Sequence, residues 1–227
     1  MKPLLCCILD GGILDGRAGK PPAPPGTYRV AAPNGLIAIA LDTPPADETS
    51  PNTAELLAFA EVIRTFHASH DVIPLRYGCV MASEEAVVRL LEENGPHYAA
   101  LLRTLHGMTE MGIRLLVPVA EPAASAAPLS PGAGYLASAR ARHGSGAAPS
   151  PRHVKAADAV SALLEGAFIA ERREYSSTAG GALVSLYYLV PRSGAGQFME
   201  KARAISLPEV KILLSGPWPP YNFADLS

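Results

Sequence analysis

The 227-residue chain holds only three cysteines and one tryptophan, and aromatic residues make up just 6% of it. Cys6 and Cys7 are adjacent and Cys79 is remote, which makes neither a disulfide framework nor a four-ligand zinc site. Reduced, cytosolic thiols are the expectation. A strong charge of either sign is also missing: the net charge is −2, without the basic excess that nucleic-acid binding needs. The one local basic run, Arg140, Arg142, His143, Arg152, His153 and Lys155, is interrupted by Gly and Pro and reads as a solvated linker. No stretch approaches the roughly 18 uninterrupted apolar residues of a membrane span. The first apolar run stops at Asp10, too short for a secretory signal. A cytoplasmic protein, with no nucleic acid and no membrane among its partners, is therefore expected.

Motifs for bound phosphate or metal are missing as well. Residues 10–26 hold five Gly and four Pro, yet Ile13 spoils a Gly-x-Gly-x-x-Gly pattern and Gly19-Lys20 is followed by Pro21 where a P-loop needs Ser or Thr. His67 and His70 stand at i, i+3 near a helix end, a spacing that can chelate a metal, but no third ligand is apparent in the adjacent sequence. The same pair with Cys79 would make a thiol and base only if folding brought them together. A small core residue is the plainer role for Cys79. No cofactor is expected.

What the chain does have is 48% hydrophobic content, enough to bury a real core. Residues 4–9 read as a buried strand, and 28–32 and 36–42 as a hairpin around Pro33-Asn34-Gly35. A helix over 53–69 repeats Leu56, Phe59, Ala60, Ile63 and Phe66 at the helical period. A strand over 71–81, a helix capped by Ser83 and running to 93, and a further helix over 95–106 follow. Strand 109–118 alternates Met111, Ile113, Leu115 and Val117 against Glu110, Gly112 and Arg114. After the Ala, Pro and Ser of 120–131 come helices over 135–142 and 152–166, strands 168–175 and 182–190, helix 195–205 and strand 209–215.

From residue 109 the order is strand, helix, strand, strand, helix, strand, the split βαβ or ferredoxin-like arrangement. The fold class is thus α+β in two domains, the C-terminal one ferredoxin-like and the N-terminal one a mixed sheet with packed helices. The expected division is 1–118, a linker over 119–134, and 135–227 closed by a strap over 216–227, with 109–118 assignable to either domain.

That strap contains Gly216-Pro217-Trp218-Pro219-Pro220-Tyr221-Asn222-Phe223. Three prolines hold φ near −65° and remove donors, so an extended, polyproline II path is expected, with Trp218 and Tyr221 on one side. Such a stiff aromatic strip is covered by the protein's own last strand or by another chain. The stretch resembles the closing signature of the gas vesicle protein F/L (GvpF/GvpL) family. Ile73-Pro74-Leu75-Arg76-Tyr77-Gly78, and Gly134-Tyr135-Leu136 followed by Arg140, agree with that family in the same order.

The resemblance implies a non-enzymatic structural or assembly protein of gas vesicles. It implies contact with the small hydrophobic shell protein GvpA and with other gas vesicle accessory proteins, and a place on the vesicle, its gas-facing inner surface included. The residues that carry this expectation are Pro74, Arg76, Tyr77, Gly78, Tyr135, Arg140, Gly216, Pro217, Trp218, Pro219, Pro220, Tyr221 and Phe223. From a different class, a small enzyme or ligand sensor on a ferredoxin-like scaffold is the alternative, since that scaffold hosts many activities.

Overall fold

Nine consecutive residues, Lys2–Asp10, form β1 and are buried at all but the two ends, as a strand covered on both faces must be. The computed structural model describes residues 2–13, 24–43, 53–118, 150–178 and 181–224. The chain divides into two units, Met1–Glu110 with Trp218–Ser227, and Met111–Pro217.

In the first unit β1 is flanked by β3 (Leu36–Thr43) and by the short β4 (Ile73–Pro74), while β2 (Thr27–Ala31) pairs with β3. The order is β2-β3-β1-β4 and these pairings are antiparallel, so the sheet is not mixed. The β2–β3 turn forms where expected. Gly35 takes φ 86, a value that suits glycine, and the Ala32 amide donates to the Leu36 carbonyl at 2.9 Å.

Helix α1 (Thr53–His67) buries Phe59, Val62, Ile63 and Phe66, an i, i+3, i+4, i+7 stripe. The inward face is therefore turned from the one expected: Val62 enters, while Leu56 (40% exposed) and Ala60 face out. The expected strand over 71–81 shrinks to two paired residues and an isolated bridge between Leu4 and Val80. Pro74 has no N–H for a ladder, and Gly78 at φ 97 turns the chain away. Helix α2 (Glu84–Glu93) starts at Ser83, whose Oγ accepts from the Ala86 amide at 3.3 Å. Helix α3 (Gly95–Thr104) begins with Pro in its first turn.

The second unit holds β5 (Met108–Val117) from Met111 on, α4 (Pro151–Leu163), β6 (Ala170–Thr178), β7 (Gly181–Pro191), α5 (Ala195–Arg203) and β8 (Lys211–Trp218) as far as Pro217. Their order, β6-β7-β5-β8, is that of the split βαβ fold. The core joins Met111, Ile113, Leu115 and Val117 of β5 to Val160 of α4, Val184 and Tyr188 of β7, and Phe198 of α5. Leu163, the last residue of α4, is 58% exposed. The first sheet repeats the same order, its first strand lying between its third and fourth. In both units the connection from the third strand to the fourth, which carries a helix, therefore crosses over the first.

One boundary differs from the sequence reading. The division falls after Glu110, inside the 109–118 stretch left open to either domain, but residues 218–224 belong with the first unit instead of closing the second. The cause is local bonding: Thr109 and Glu110 both hydrogen-bond to 218–222. Strand β8 also runs on past Ser215 through Pro217 to Trp218, because it lies at the edge of its sheet, where a proline costs no ladder bond.

Candidate functional site

The proline-aromatic stretch does not form one uniform extended strip. The edge strand ends at Trp218, Pro219 and Pro220 are buried, and the chain then closes a 3-10 turn over Tyr221–Phe223. The Tyr221 amide donates to the Pro219 carbonyl at 2.8 Å and the Phe223 amide to that of Pro220 at 3.1 Å. This turn separates the two rings that a polyproline II path would have aligned. Tyr221 packs against the core cluster of β1 and α1 that includes Cys6, Cys7, Phe59 and Phe66. Burial, then the neighbouring Cys7, Cys6 and Glu110, pushes its phenol well above the ordinary range. Phe223 is 9% exposed, whereas Trp218 keeps 46% of its surface in solvent. Pro217 is exposed and Gly216, at φ 109, is half-buried.

Two consecutive residues of β5 fasten this segment. Thr109 Oγ1 donates to the Trp218 carbonyl at 2.9 Å. With its single proton spent there, its 3.4 Å contact with His67 Nε2 requires the imidazole to be the donor. Glu110 accepts from the Asn222 amide at 2.8 Å and from Asn222 Nδ2 at 2.7 Å. Sequence alternation had placed Glu110 on the outward face of the strand, but it is 4% exposed, because both faces at the start of β5 are covered.

The 73–78 stretch, expected from the resemblance to matter, meets the same cluster. Pro74 and Leu75 are buried, Arg76 and Gly78 are exposed, and Tyr77 is half-buried against Phe59 with centroids 5.2 Å apart. Its hydroxyl reaches Glu55 Oε2 at 3.5 Å. Tyr77 and Tyr221, from stretches far apart in sequence, thus flank one apolar cluster. Tyr135 and Arg140, with the helix over 135–142, lie outside the described residues.

The groups that an enzyme reading would use are engaged otherwise. Burial raises the Cys79 thiol, the opposite of the depressed value a nucleophilic cysteine needs. His70 Nδ1 lies 2.8 Å from Ser69 Oγ, and His67 faces Thr109. A cleft of about 690 Å³ in the first unit includes Asp71 and His106, but Asp71 is taken up by His106 Nδ1 at 2.6 Å and the Gly107 amide at 2.9 Å. Among the described residues no three His, Cys, Asp or Glu side chains are grouped to hold a metal. None of the described helices is long and apolar enough to cross a membrane.

The chain matches the family model described as gas vesicle synthesis protein GvpL/GvpF over residues 5–225. It is 25% identical over 225 residues to gas vesicle protein F of Streptomyces sp. (strain CB03234), covering 92% of each chain. To gas vesicle protein L of the same strain it is 26% identical over 242 residues, covering 96% of this chain and 90% of the relative. The crystal structure of GvpF from Microcystis aeruginosa aligns at a TM-score of 0.72 with 18% identity, covering 99% of each chain. That of GvpF from Anabaena sp. PCC7120 aligns at 0.68 with 15% identity, over 100% of this chain and 98% of the other. At such identities the two structures speak for the fold alone.

Proposed function

Because the chain belongs to the gas vesicle synthesis protein GvpL/GvpF family, we propose that it serves gas vesicle assembly by binding the small hydrophobic shell protein GvpA through apolar surface. The observation that carries this reading is Trp218. It is the chain's only tryptophan, yet it stays 46% exposed on backbone held by Thr109. A large rigid ring on pre-ordered backbone gives contact area at little entropic cost, the usual property of an interface anchor. Arg76 and Gly78 are exposed as well, so the 73–78 signature has surface available to a partner. The role is non-enzymatic. Contact with other accessory proteins and a place on the vesicle, its gas-facing inner surface included, belong to the same proposal.

Co-purification tests it. Tagged wild-type protein is expected to retain GvpA, and Trp218→Ala to lose most of it while melting normally. Failure of the wild type to retain any gas vesicle component, together with normal vesicles after deletion of this gene and any second family member, would overturn the proposal.

A further inference from the structure

We propose that Glu110 is the positioning residue of the C-terminal strap, setting the direction in which the Trp218 backbone leaves the body and hence the aromatic surface offered to a partner. The consequence for binding holds only if Trp218 is the anchor proposed above. The hold on the strap does not depend on it.

A carboxylate that is 4% exposed in an apolar strand is costly unless its oxygens meet donors. Here each oxygen meets one on the same residue: Oε2 accepts from the Asn222 backbone amide at 2.8 Å, and Oε1 from Asn222 Nδ2 at 2.7 Å. Two such bonds fix orientation as well as position, which a single bond does not. The adjacent Thr109 pins the Trp218 carbonyl at 2.9 Å. Strand β5 therefore holds the strap at 218 and at 222, on either side of Pro219 and Pro220, whose φ angles are already fixed. The Trp218 side chain keeps 46% of its surface in solvent. Asn222 offers two N–H groups to the two carboxylate oxygens. A carboxylate at 222, which has no N–H to turn toward Glu110, would set an acceptor against an acceptor.

That chemistry defines a polarity swap. In Asn222→Asp the shape is kept, one bond is lost and two carboxylates face each other. Adding Glu110→Gln lets the amide NH₂ introduced at position 110 donate to the carboxylate at 222, while the amide oxygen still accepts the backbone N–H of residue 222. Since Trp218 is the only tryptophan, its fluorescence in the full-length protein reports on the strap alone.

The expected result is that N222D shifts Trp218 emission to the red and steepens acrylamide quenching while cooperative melting persists, and that E110Q/N222D restores both. GvpA retention is expected to fall about tenfold, the equivalent of one lost charged hydrogen bond, in N222D and to recover in the double variant. Unchanged quenching in N222D, or a loosened strap that E110Q does not restore, overturns the positioning role. A strap that loosens and recovers as expected, in a protein whose wild type never retains GvpA, upholds the positioning and defeats the binding proposal instead. Equal GvpA retention with a loosened strap overturns the link between the two. Should N222D not fold, a folded double variant with wild-type quenching supports the pairing, and an unfolded one overturns it.

Discussion

The ring of Tyr77 stands edge-on to that of Phe59, with centroids 5.2 Å apart and planes at 77°, and this contact ties the 73–78 stretch to α1. An edge-to-face pair contributes about 0.5–1.5 kcal/mol beyond the area it buries. Tyr77→Ala is therefore expected to cost about 2 kcal/mol with the lost burial included. The hydroxyl makes only a long, exposed contact of 3.5 Å to Glu55, so Tyr77→Phe should stay within about 0.5 kcal/mol of the wild type. Urea midpoints for the two variants check the pair. Equal losses would place the stabilisation in the hydroxyl rather than the ring.

Tyr221 and Trp218 are three positions apart and should behave oppositely. Tyr221 packs against the β1 and α1 core, and truncating a packed aromatic costs about 3 kcal/mol or more. Tyr221→Ala is expected to lower the melting temperature by many degrees. Trp218 is nearly half exposed, and Trp218→Ala should cost under about 1 kcal/mol. Thermal melts of the two variants decide the matter. A Trp218→Ala loss as large as that of Tyr221→Ala would make the tryptophan part of the core.

Alkaline pH should weaken the fold before it reaches the lysine range. Burial pushes the Cys6 thiol from its ordinary 9.0 up to about 12, and Cys7 rises as well, by burial and then by its neighbour Cys6. A thiol whose folded value is raised stays protonated in the native state while the unfolded chain ionises. Its contribution is whole below about pH 9 and is lost as pH climbs toward 12, because the unfolded state then releases the proton more readily. Urea midpoints measured from pH 8 upward should fall through this window, and less steeply in Cys6→Ala. An equal slope in that variant would assign the loss to other groups, the buried Tyr188 and half-buried Tyr221 phenols among them.

Much of the fold could be read in advance because it rests on local patterns. Period-2 and period-3.6 apolar spacing marked the strands and helices, Asn34-Gly35 marked a hairpin whose Gly35 has φ 86, and element order pointed to the split βαβ arrangement seen as β6-β7-β5-β8. The same local patterns could not orient α1. Val62 and Leu56 are both apolar and both fit a helical stripe, and only the position of β1 chose Val62 for the core.

By itself, then, the sequence determined the order of the elements, the second sheet's topology and the family, since these depend on side-chain period, Gly and Pro stereochemistry and residue identity along the chain. Tertiary structure alone decided that the strap returns to the first unit, that Tyr221 turns inward while Trp218 stays in solvent, and that Glu110 is buried. Each of those outcomes depends on a partner far along the chain. The donors that make burial of Glu110 tolerable come from Asn222, 112 positions away, and no local pattern around either residue encodes the meeting.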